Sequence, residues 1–143
     1  MIYPKFLSKG EVIGVPAPSA GSKDEYDIIR YKNSINKFEK SGFIVRISKN
    51  LYKGKNARSS DDKTRGEEMN EFFSDDSNVL ICATGGEFLV ECLSYVDFDR
   101  IKKNPKWILG FSDPTGILFP ITTKYDIAKI YGNNFKSFGM KEN

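Results

Sequence analysis

The chain has 143 residues, and its apolar share of 39%, which includes 11 Phe and 7 Tyr, suits one folded domain and excludes a disordered chain. The net charge of +3 arises from interspersed lysines and acidic residues and gives little support for a nucleic-acid partner. Histidine is absent, which excludes a Ser-His-Asp triad, a Cys-His pair or an imidazole metal site built within this chain.

The first half of the chain alternates apolar segments with helical patterns. Residues 11–17 form a short apolar run that ends in a proline-containing loop, as expected for a first buried strand. From Asp24 onward, apolar residues recur at steps of three and four up to Gly42, which predicts a helix with a left-handed glycine at its end. A second strand follows at residues 43–48, and residues 50–60 are polar and basic and are predicted to be a loop.

The second half continues the alternation. The run SSDDKTRGEEMNEFF predicts a second helix with Ser or Asp as its N-cap, ending near Asp75 and Asp76. Three further strands are predicted at residues 78–83, 106–111 and 127–131, and the first of these is the most apolar. Between them, residues 88–96 predict one helix, and residues 112–124 predict another that is interrupted or bent near Pro120.

Alternating strands and helices predict right-handed βαβ units, and therefore an α/β fold with a mainly parallel sheet between two helix layers, a three-layer αβα architecture. Ligands of such folds bind beyond the carboxyl ends of the strands. The loops expected to matter are residues 17–22, 84–88, 112–115 and 132–135.

The pattern of apolar residues indicates the cellular location, and the number of cysteines indicates their role. No apolar run approaches the ~20 residues of a membrane span, and the first residues lack the layout of a signal peptide, so we expect a cytoplasmic protein with no membrane partner. Cys82 and Cys92 are too few for a disulfide framework or a metal cage, and both are expected to be reduced and buried.

Four short motifs, taken in order and spacing, resemble one family. They are APS at residues 17–19, SSDDKTR ending at Arg65, CATGG ending at Gly86, and NPKWILGFSDPTGIL at residues 104–118. Together they resemble the LD-carboxypeptidase family of serine peptidases, which includes muramoyltetrapeptide carboxypeptidases and microcin immunity peptidases. The resemblance covers the chain but only the N-terminal domain of the family, whose members are about twice as long.

The resemblance implies a flavodoxin-like or class I glutamine amidotransferase-like domain that carries a serine at a nucleophile elbow. It also implies that a separate C-terminal domain, absent from this chain, supplies the Glu and His partners. Substrates of the family are murein peptides cut before a terminal D-alanine, or related peptide and acyl-nucleotide compounds. Metal is not required, and we expect no cofactor.

The position of the serine nucleophile maps onto Leu89, and a leucine side chain cannot attack a carbonyl. Cys92 lies three positions further along the predicted helix and is expected to be packing rather than a nucleophile, because no base in this chain would activate it. We therefore predict a chain with no intact catalytic residue, inactive on its own.

The candidate binding residues each have a structural alternative. Gly85 and Gly86 form either a tight turn or, together with Phe88, a receptor whose backbone amides hold an oxyanion. Glu87 is an exposed first-turn carboxylate or a contact to a cationic substrate group. Ser112 and Asp113 are helix N-caps, substrate contacts or both.

Three further polar residues have a structural interpretation. Arg65 is expected to be a surface or interdomain ion-pair partner rather than a substrate clamp. Asn133 and Asn134 are expected to form a turn, because asparagine tolerates left-handed backbone.

Three functions remain open at this point. The first is the N-terminal domain of an LD-carboxypeptidase-like hydrolase, which would expose the apolar surface that its partner domain covers and could form a homo-oligomer. The second is a non-catalytic peptide- or muropeptide-binding module, a pseudoenzyme. The third is a stand-alone flavodoxin-like domain that binds a phosphate or flavin, although neither candidate loop carries a phosphate-cradling glycine motif.

Overall fold

The computed structural model describes residues 1–141, in which five strands alternate with helices. The strands are β1 (Val12–Val15), β2 (Ile44–Ile47), β3 (Val79–Ile81), β4 (Trp107–Gly110) and β5 (Ile130–Tyr131). The α-helices are α1 (Glu25–Lys40), α2 (Asp62–Ser74), α3 (Asp99–Lys103) and α4 (Thr115–Tyr125). Two 3-10 helices cover Leu89–Tyr95 and Phe135–Gly139.

The strands form one sheet in the order β2-β1-β3-β4-β5, and every pairing is parallel. The register places Ile13 opposite Val79 on one side and opposite Val45 on the other. This is the flavodoxin-like strand order, in which β2 lies on one side of β1 and β3 to β5 follow on the other side. The strand order therefore reverses between β1 and β3. The predicted α/β fold with a parallel sheet is therefore confirmed.

Each face of the sheet packs against its own helix layer. One hydrophobic cluster lies beneath α1 and the second 3-10 helix and includes Ile13, Tyr31 and Phe135. The other lies beneath the first 3-10 helix and α2 to α4, and its buried members include Met69, Phe73, Leu80, Ile108 and Ile117. Within the described chain, the helices are too short or too polar to traverse a bilayer.

Helix α1 illustrates how the sequence pattern produces the fold. The side chain of Asp24 accepts a hydrogen bond from the amide of Asp27 at 3.2 Å and so caps the first turn. The helix ends before Gly42, whose φ of +94° is the left-handed conformation that glycine adopts readily. Tyr31 is fully buried on the face that contacts the sheet.

Four local expectations were wrong or incomplete. The predicted helix at residues 88–96 is the first 3-10 helix, and α2 packs against it so closely that a Cβ on Gly66 would lie 2.9 Å from the carbonyl oxygen of Cys92. The segment containing Pro120 is one continuous helix, α4, so the expected interruption was wrong, while a bend stays a prediction. The last strand contains only Ile130 and Tyr131, while Ile127 makes an isolated bridge to Ile2. Helix α3 and the second 3-10 helix were not anticipated.

Candidate functional site

The double-glycine turn that follows β3 lies at the surface, at the carboxyl edge of the sheet. Gly86 and Glu87 are exposed, while Gly85 and Phe88 are half-buried. A Cβ on Gly86 would collide with the hydroxyl of Ser19, so the turn lies directly against the loop that follows β1. In the part of the chain that the structure describes, none of the amides from Gly85 to Phe88 donates to a backbone carbonyl. The turn therefore presents backbone donors at the point where β1 and β3 diverge.

The carboxylate of Asp113 joins three loops at this edge. Its Oδ2 atom accepts two hydrogen bonds, one from the Ser19 hydroxyl and one from the backbone amide of Leu89 at 3.0 Å. The N-cap position of α4 is occupied by Pro114, which makes no side-chain capping bond. Asp113 therefore does not cap α4, since its carboxylate binds the loops after β1 and β3, and its contact to a substrate stays a prediction.

Ser112 has a different environment from its neighbour. It is exposed, has a left-handed φ of +66°, and accepts the amide of Thr115 at 2.9 Å through its backbone carbonyl. Its Cβ lies 3.5 Å from the position that a Cβ on Gly85 would take. Ser112 therefore lies beside the double-glycine turn with its side chain open to solvent, and its hydroxyl does not cap α4.

Arg65 is completely buried, so the expected surface or interdomain position was wrong, whereas the expected ion pair is present, with Glu91. Its guanidinium donates to the carbonyls of Pro18 and Phe88, each at 2.9 Å, and to the carboxylate of Glu91 at 3.0 Å. It also reaches the carbonyl of Asp61, the N-cap of its own helix, at 3.3 Å. Five rigidly arranged donors make arginine suited to such a junction of loops.

Arg58 contacts Phe88 and Glu91 from the solvent side of the turn. Its guanidinium lies 3.8 Å from the centre of the Phe88 ring and binds both oxygens of Glu91, at 2.6 and 2.7 Å. Stacking of a guanidinium on an aromatic face and a bidentate carboxylate contact are both favourable interactions of arginine. Phe88 is consequently held between its backbone contact to Arg65 and its ring contact to Arg58.

Asn134 fixes the loop that follows β4. Its buried side-chain amide binds both the N–H and the C=O of Phe111, at 3.0 and 3.1 Å. The following residues Phe135 and Lys136 donate to the carbonyls of Cys82 and Ala83 at the end of β3. The expected turn at Asn133 and Asn134 was wrong, because neither residue has a left-handed backbone and Asn134 is extended. The long-range contact of Asn134 leaves no local sequence signal.

Leu89 is fully buried and belongs to the core rather than to the surface of the turn. Its Cδ2 atom lies 2.8 Å from the position that a Cβ on Gly116 would take, so the side chain points at α4. Asp113 binds the backbone amide of Leu89, so this contact does not depend on which side chain other than proline occupies the position.

Both cysteines are buried, as the sequence predicted. Burial raises the pKa of the Cys82 thiol to about 12 and that of the Cys92 thiol to about 11. Since the thiolate is the reactive form, neither sulfur is activated as a nucleophile at neutral pH.

The native protein should therefore react with a thiol reagent about a hundredfold more slowly than the unfolded chain, in which cysteines have an ordinary pKa. The measurement is the rate of thiol modification with and without denaturant. Rapid labelling of Cys92 in the native protein, located by peptide mapping, would show that the thiol is accessible and activated.

Comparisons with known proteins agree with this geometry. The sequence profile of the LD-carboxypeptidase N-terminal domain matches residues 13–132. A probable murein peptide carboxypeptidase of Bacillus subtilis is 31% identical over 113 residues, covering 78% of this chain and 34% of the relative. The microcin C7 self-immunity protein MccF of Escherichia coli is 31% identical over 127 residues, covering 88% of this chain and 37% of the relative.

A solved structure of MccF in complex with aspartyl sulfamoyl adenosine matches the whole chain with a TM-score of 0.92 at 28% identity, over 43% of its own length. The chain therefore spans about two fifths of the length of the relatives it matches. With the family profile extending from β1 to the end of β5, this chain belongs to the LD-carboxypeptidase family and corresponds to its N-terminal domain.

Proposed function

We propose that this chain is the nucleophile-position domain of an LD-carboxypeptidase-like serine hydrolase that acts on murein peptides or related peptide substrates, and that it is inactive on its own. The observation that carries the proposal is the surface turn Gly85–Phe88, whose amides are available at the carboxyl edge of a sheet with the family fold. An arrangement of this kind can accept a peptide carbonyl or the oxyanion formed from it.

The proposed reaction of a complete relative divides into parts that this chain has and parts that it lacks. A serine at the position of Leu89 would attack the carbonyl, the amides of the turn would hold the oxyanion, and a histidine aided by a glutamate would move the proton. Here Asp113 binds the backbone amide of Leu89 and Arg65 binds the backbone carbonyl of Phe88, which supports a role of the turn as a receptor. The attacking oxygen and the base are missing, because position 89 is leucine and the chain contains no histidine.

A C-terminal domain would supply the missing base, and we propose that it packs beside β4 and β5. Phe111 and Tyr131 are exposed there and contact each other edge to face, with ring centres 6.0 Å apart. These two side chains form an exposed aromatic patch next to the candidate site. Exposed apolar patches of this kind commonly mark interaction surfaces.

The isolated chain should therefore self-associate through this patch, in a concentration-dependent manner that light scattering after size-exclusion chromatography would detect. The double substitution Phe111→Ser and Tyr131→Ser is expected to shift the protein toward monomer. Tyr3→Ser with Phe6→Ser is the matched control, because these aromatic side chains are similarly exposed but pack on Trp107. If both double variants change the association equally, the proposed surface is wrong.

A second candidate function is a non-catalytic peptide- or muropeptide-binding module, and Leu89 specifically favours it. A buried leucine at the nucleophile position stabilises the core and leaves the turn and its amides exposed. Binding without turnover would require only those donors. The aspartyl sulfamoyl adenosine bound by MccF is an aminoacyl compound, which supports ligands of related chemistry for either function. The cytoplasmic location and the lack of nucleic-acid and membrane partners stay predictions from composition.

Calorimetric titration with a muramoyl tetrapeptide tests the proposed receptor. Gly86→Ala should weaken binding about tenfold or more, because the added methyl group collides with Ser19 and displaces the turn. Gly10→Ala is the matched control, since Gly10 also has a positive φ, of +85°, but no atom outside its chain neighbours lies within 4 Å of its Cβ position. Gly10 precedes β1 at the opposite edge of the sheet, so this variant should bind like the parent. Equal binding by both variants, each verified as folded by circular dichroism, would refute a receptor at the turn.

A further inference from the structure

A second concave surface lies beside the turn, in the loop that follows β2. Its volume is about 620 Å³, and its cationic lining residues are Lys23, Lys53, Lys55 and Arg58. We call this surface the basic groove. Because parallel strands end at the same edge of a sheet, the loop after β2 lies at the edge that carries the double-glycine turn.

The lysines of the basic groove carry charges that the protein leaves available. Lys23, Lys53 and Lys55 are exposed, and the lysine ion pairs found among residues 1–141 involve Lys5, Lys63, Lys106 and Lys136 instead. A concave surface lined by charges of one sign concentrates its field and attracts ions of the opposite sign.

The acidic residues in and beside the groove, among them the lining residue Asp61, are already engaged by other groups. Asp24 and Asp61 accept the amides of Asp27 and Thr64 as helix N-caps. Glu91 binds the guanidinium groups of Arg58 and Arg65. These carboxylates therefore do not pair with the three lysines, whose ammonium groups stay free to meet an external anion.

The walls of the groove have a fixed shape. Lys55 and Arg58 exchange two backbone hydrogen bonds of 2.9 and 3.0 Å across Asn56 and Ala57, whose φ values of +49° and +61° fit a type I′ turn. Ser22 donates to the carbonyl of Leu51 at 3.0 Å, which ties this loop to the loop after β1. The lysines are therefore presented by an ordered backbone, which lowers the entropic cost of binding.

The basic groove is also physically connected to the candidate site. Arg58 lines the groove and at the same time covers the ring of Phe88, the last residue of the turn. A ligand that occupies the turn can therefore extend past Phe88 into the groove without leaving the surface. The charge of the groove requires that the extending group be anionic.

We propose that the basic groove is a binding site for an anionic group, a carboxylate or a phosphate. The ammonium group of lysine binds a carboxylate or a phosphate as a point charge, so its geometry does not distinguish between the two. The proposal that this anionic group is part of the ligand held at the Gly85–Phe88 turn rests on the proposed function. The proposal that the groove binds anions does not depend on it.

The test is a titration of the ¹⁵N-labelled chain, followed by amide chemical shifts, at constant ionic strength set with chloride. The two probes are inorganic phosphate and an N-acetylated diglutamate peptide amide, which separate a phosphate source from a carboxylate source. We expect saturable shifts in residues 53–61 with at least one probe at millimolar concentrations, on the order of what a few exposed ion pairs support. Failure of both probes to saturate would overturn the proposal.

Charge-reversal variants distinguish the groove from the net charge. Lys53→Glu with Lys55→Glu should weaken binding about tenfold or more, whereas Lys9→Glu with Lys102→Glu, which changes the net charge equally but at exposed positions preceding β1 and β4, should not. Equal weakening would assign the binding to non-specific attraction. If phosphate binds the groove while the tetrapeptide fails to shift residues 85–88, the proposed function fails and the groove remains an anion site.

Discussion

Replacement of Leu89 by serine is expected to lower the free energy of unfolding by about 2–5 kcal/mol and to release no D-alanine from a muramoyl tetrapeptide. The stability loss follows from full burial of the leucine against α4, because truncation of such a side chain leaves a cavity and the serine hydroxyl is then buried as well. Denaturant unfolding measures the stability, and amino acid analysis of the digest measures the activity.

The absence of activity follows from geometry as well as from the missing base. A nucleophile elbow presents its side chain outward through a strained backbone, but the non-glycine residues with positive φ in residues 1–141 are Asn56, Ala57, Ser112 and Asp126. A serine hydroxyl at position 89 would consequently face the core. Val90→Ser is the control, since Val90 is 68% exposed and its substitution should change stability by about 0.5 kcal/mol or less. Release of D-alanine by the Leu89→Ser variant would contradict both arguments.

Replacement of Arg65 by methionine is expected to destabilise the chain by about 3 kcal/mol. Methionine keeps much of the side-chain volume but removes the guanidinium donor from the carbonyls of Pro18 and Phe88. The Phe88 carbonyl keeps a long bond of 3.3 Å from the Glu91 amide, whereas the Pro18 carbonyl keeps only the Cys92 thiol at 3.8 Å, and an unsatisfied buried carbonyl costs about 1–3 kcal/mol. The turn loses its attachment to the loop after β1, so tetrapeptide binding should weaken together with stability. Unfolding in denaturant and calorimetry measure the two effects.

Arg58→Met provides the matched control for this substitution. Arg58 binds the same Glu91, but its side chain is 25% exposed and its partner 37% exposed. Loss of a surface ion pair should cost about 1 kcal/mol or less. If the two variants are equally stable, the buried guanidinium contributes nothing special and the loops are held by other contacts. A large loss for Arg58→Met alone would assign the anchoring role to the stack on Phe88.

The sheet and the main helices could be predicted because their signals are local. The apolar run of β3, the spacing of buried residues in α1 and the left-handed Gly42 each depend on residues close in sequence. The 3-10 conformation of Leu89–Tyr95 could not be predicted, since it accompanies close packing against Gly66 in another element. Sequence patterns specify which residues are apolar, but they do not specify how closely two helices approach.

The anchors of the candidate site were misassigned for a similar reason. A charged residue such as Arg65 is usually at the surface, and its burial depends on carbonyl partners 23 and 47 positions away in the chain. The carboxylate of Asp113 reaches Ser19 across 94 positions. The predicted parallel sheet placed the loops at residues 17–22, 84–88 and 112–115 at one edge, but it gave no side-chain contacts between them. The binding roles of Gly85, Gly86, Glu87, Phe88, Ser112 and Asp113 stay predictions until a ligand is measured.

The hydrogen bond from the Leu89 amide to Asp113 has a consequence for how such proteins can diverge. Every residue except proline carries that N–H, so the anchoring contact is indifferent to the identity of the side chain attached to it. The contact between the loops that follow β3 and β4 can therefore persist through changes of the side chain at position 89.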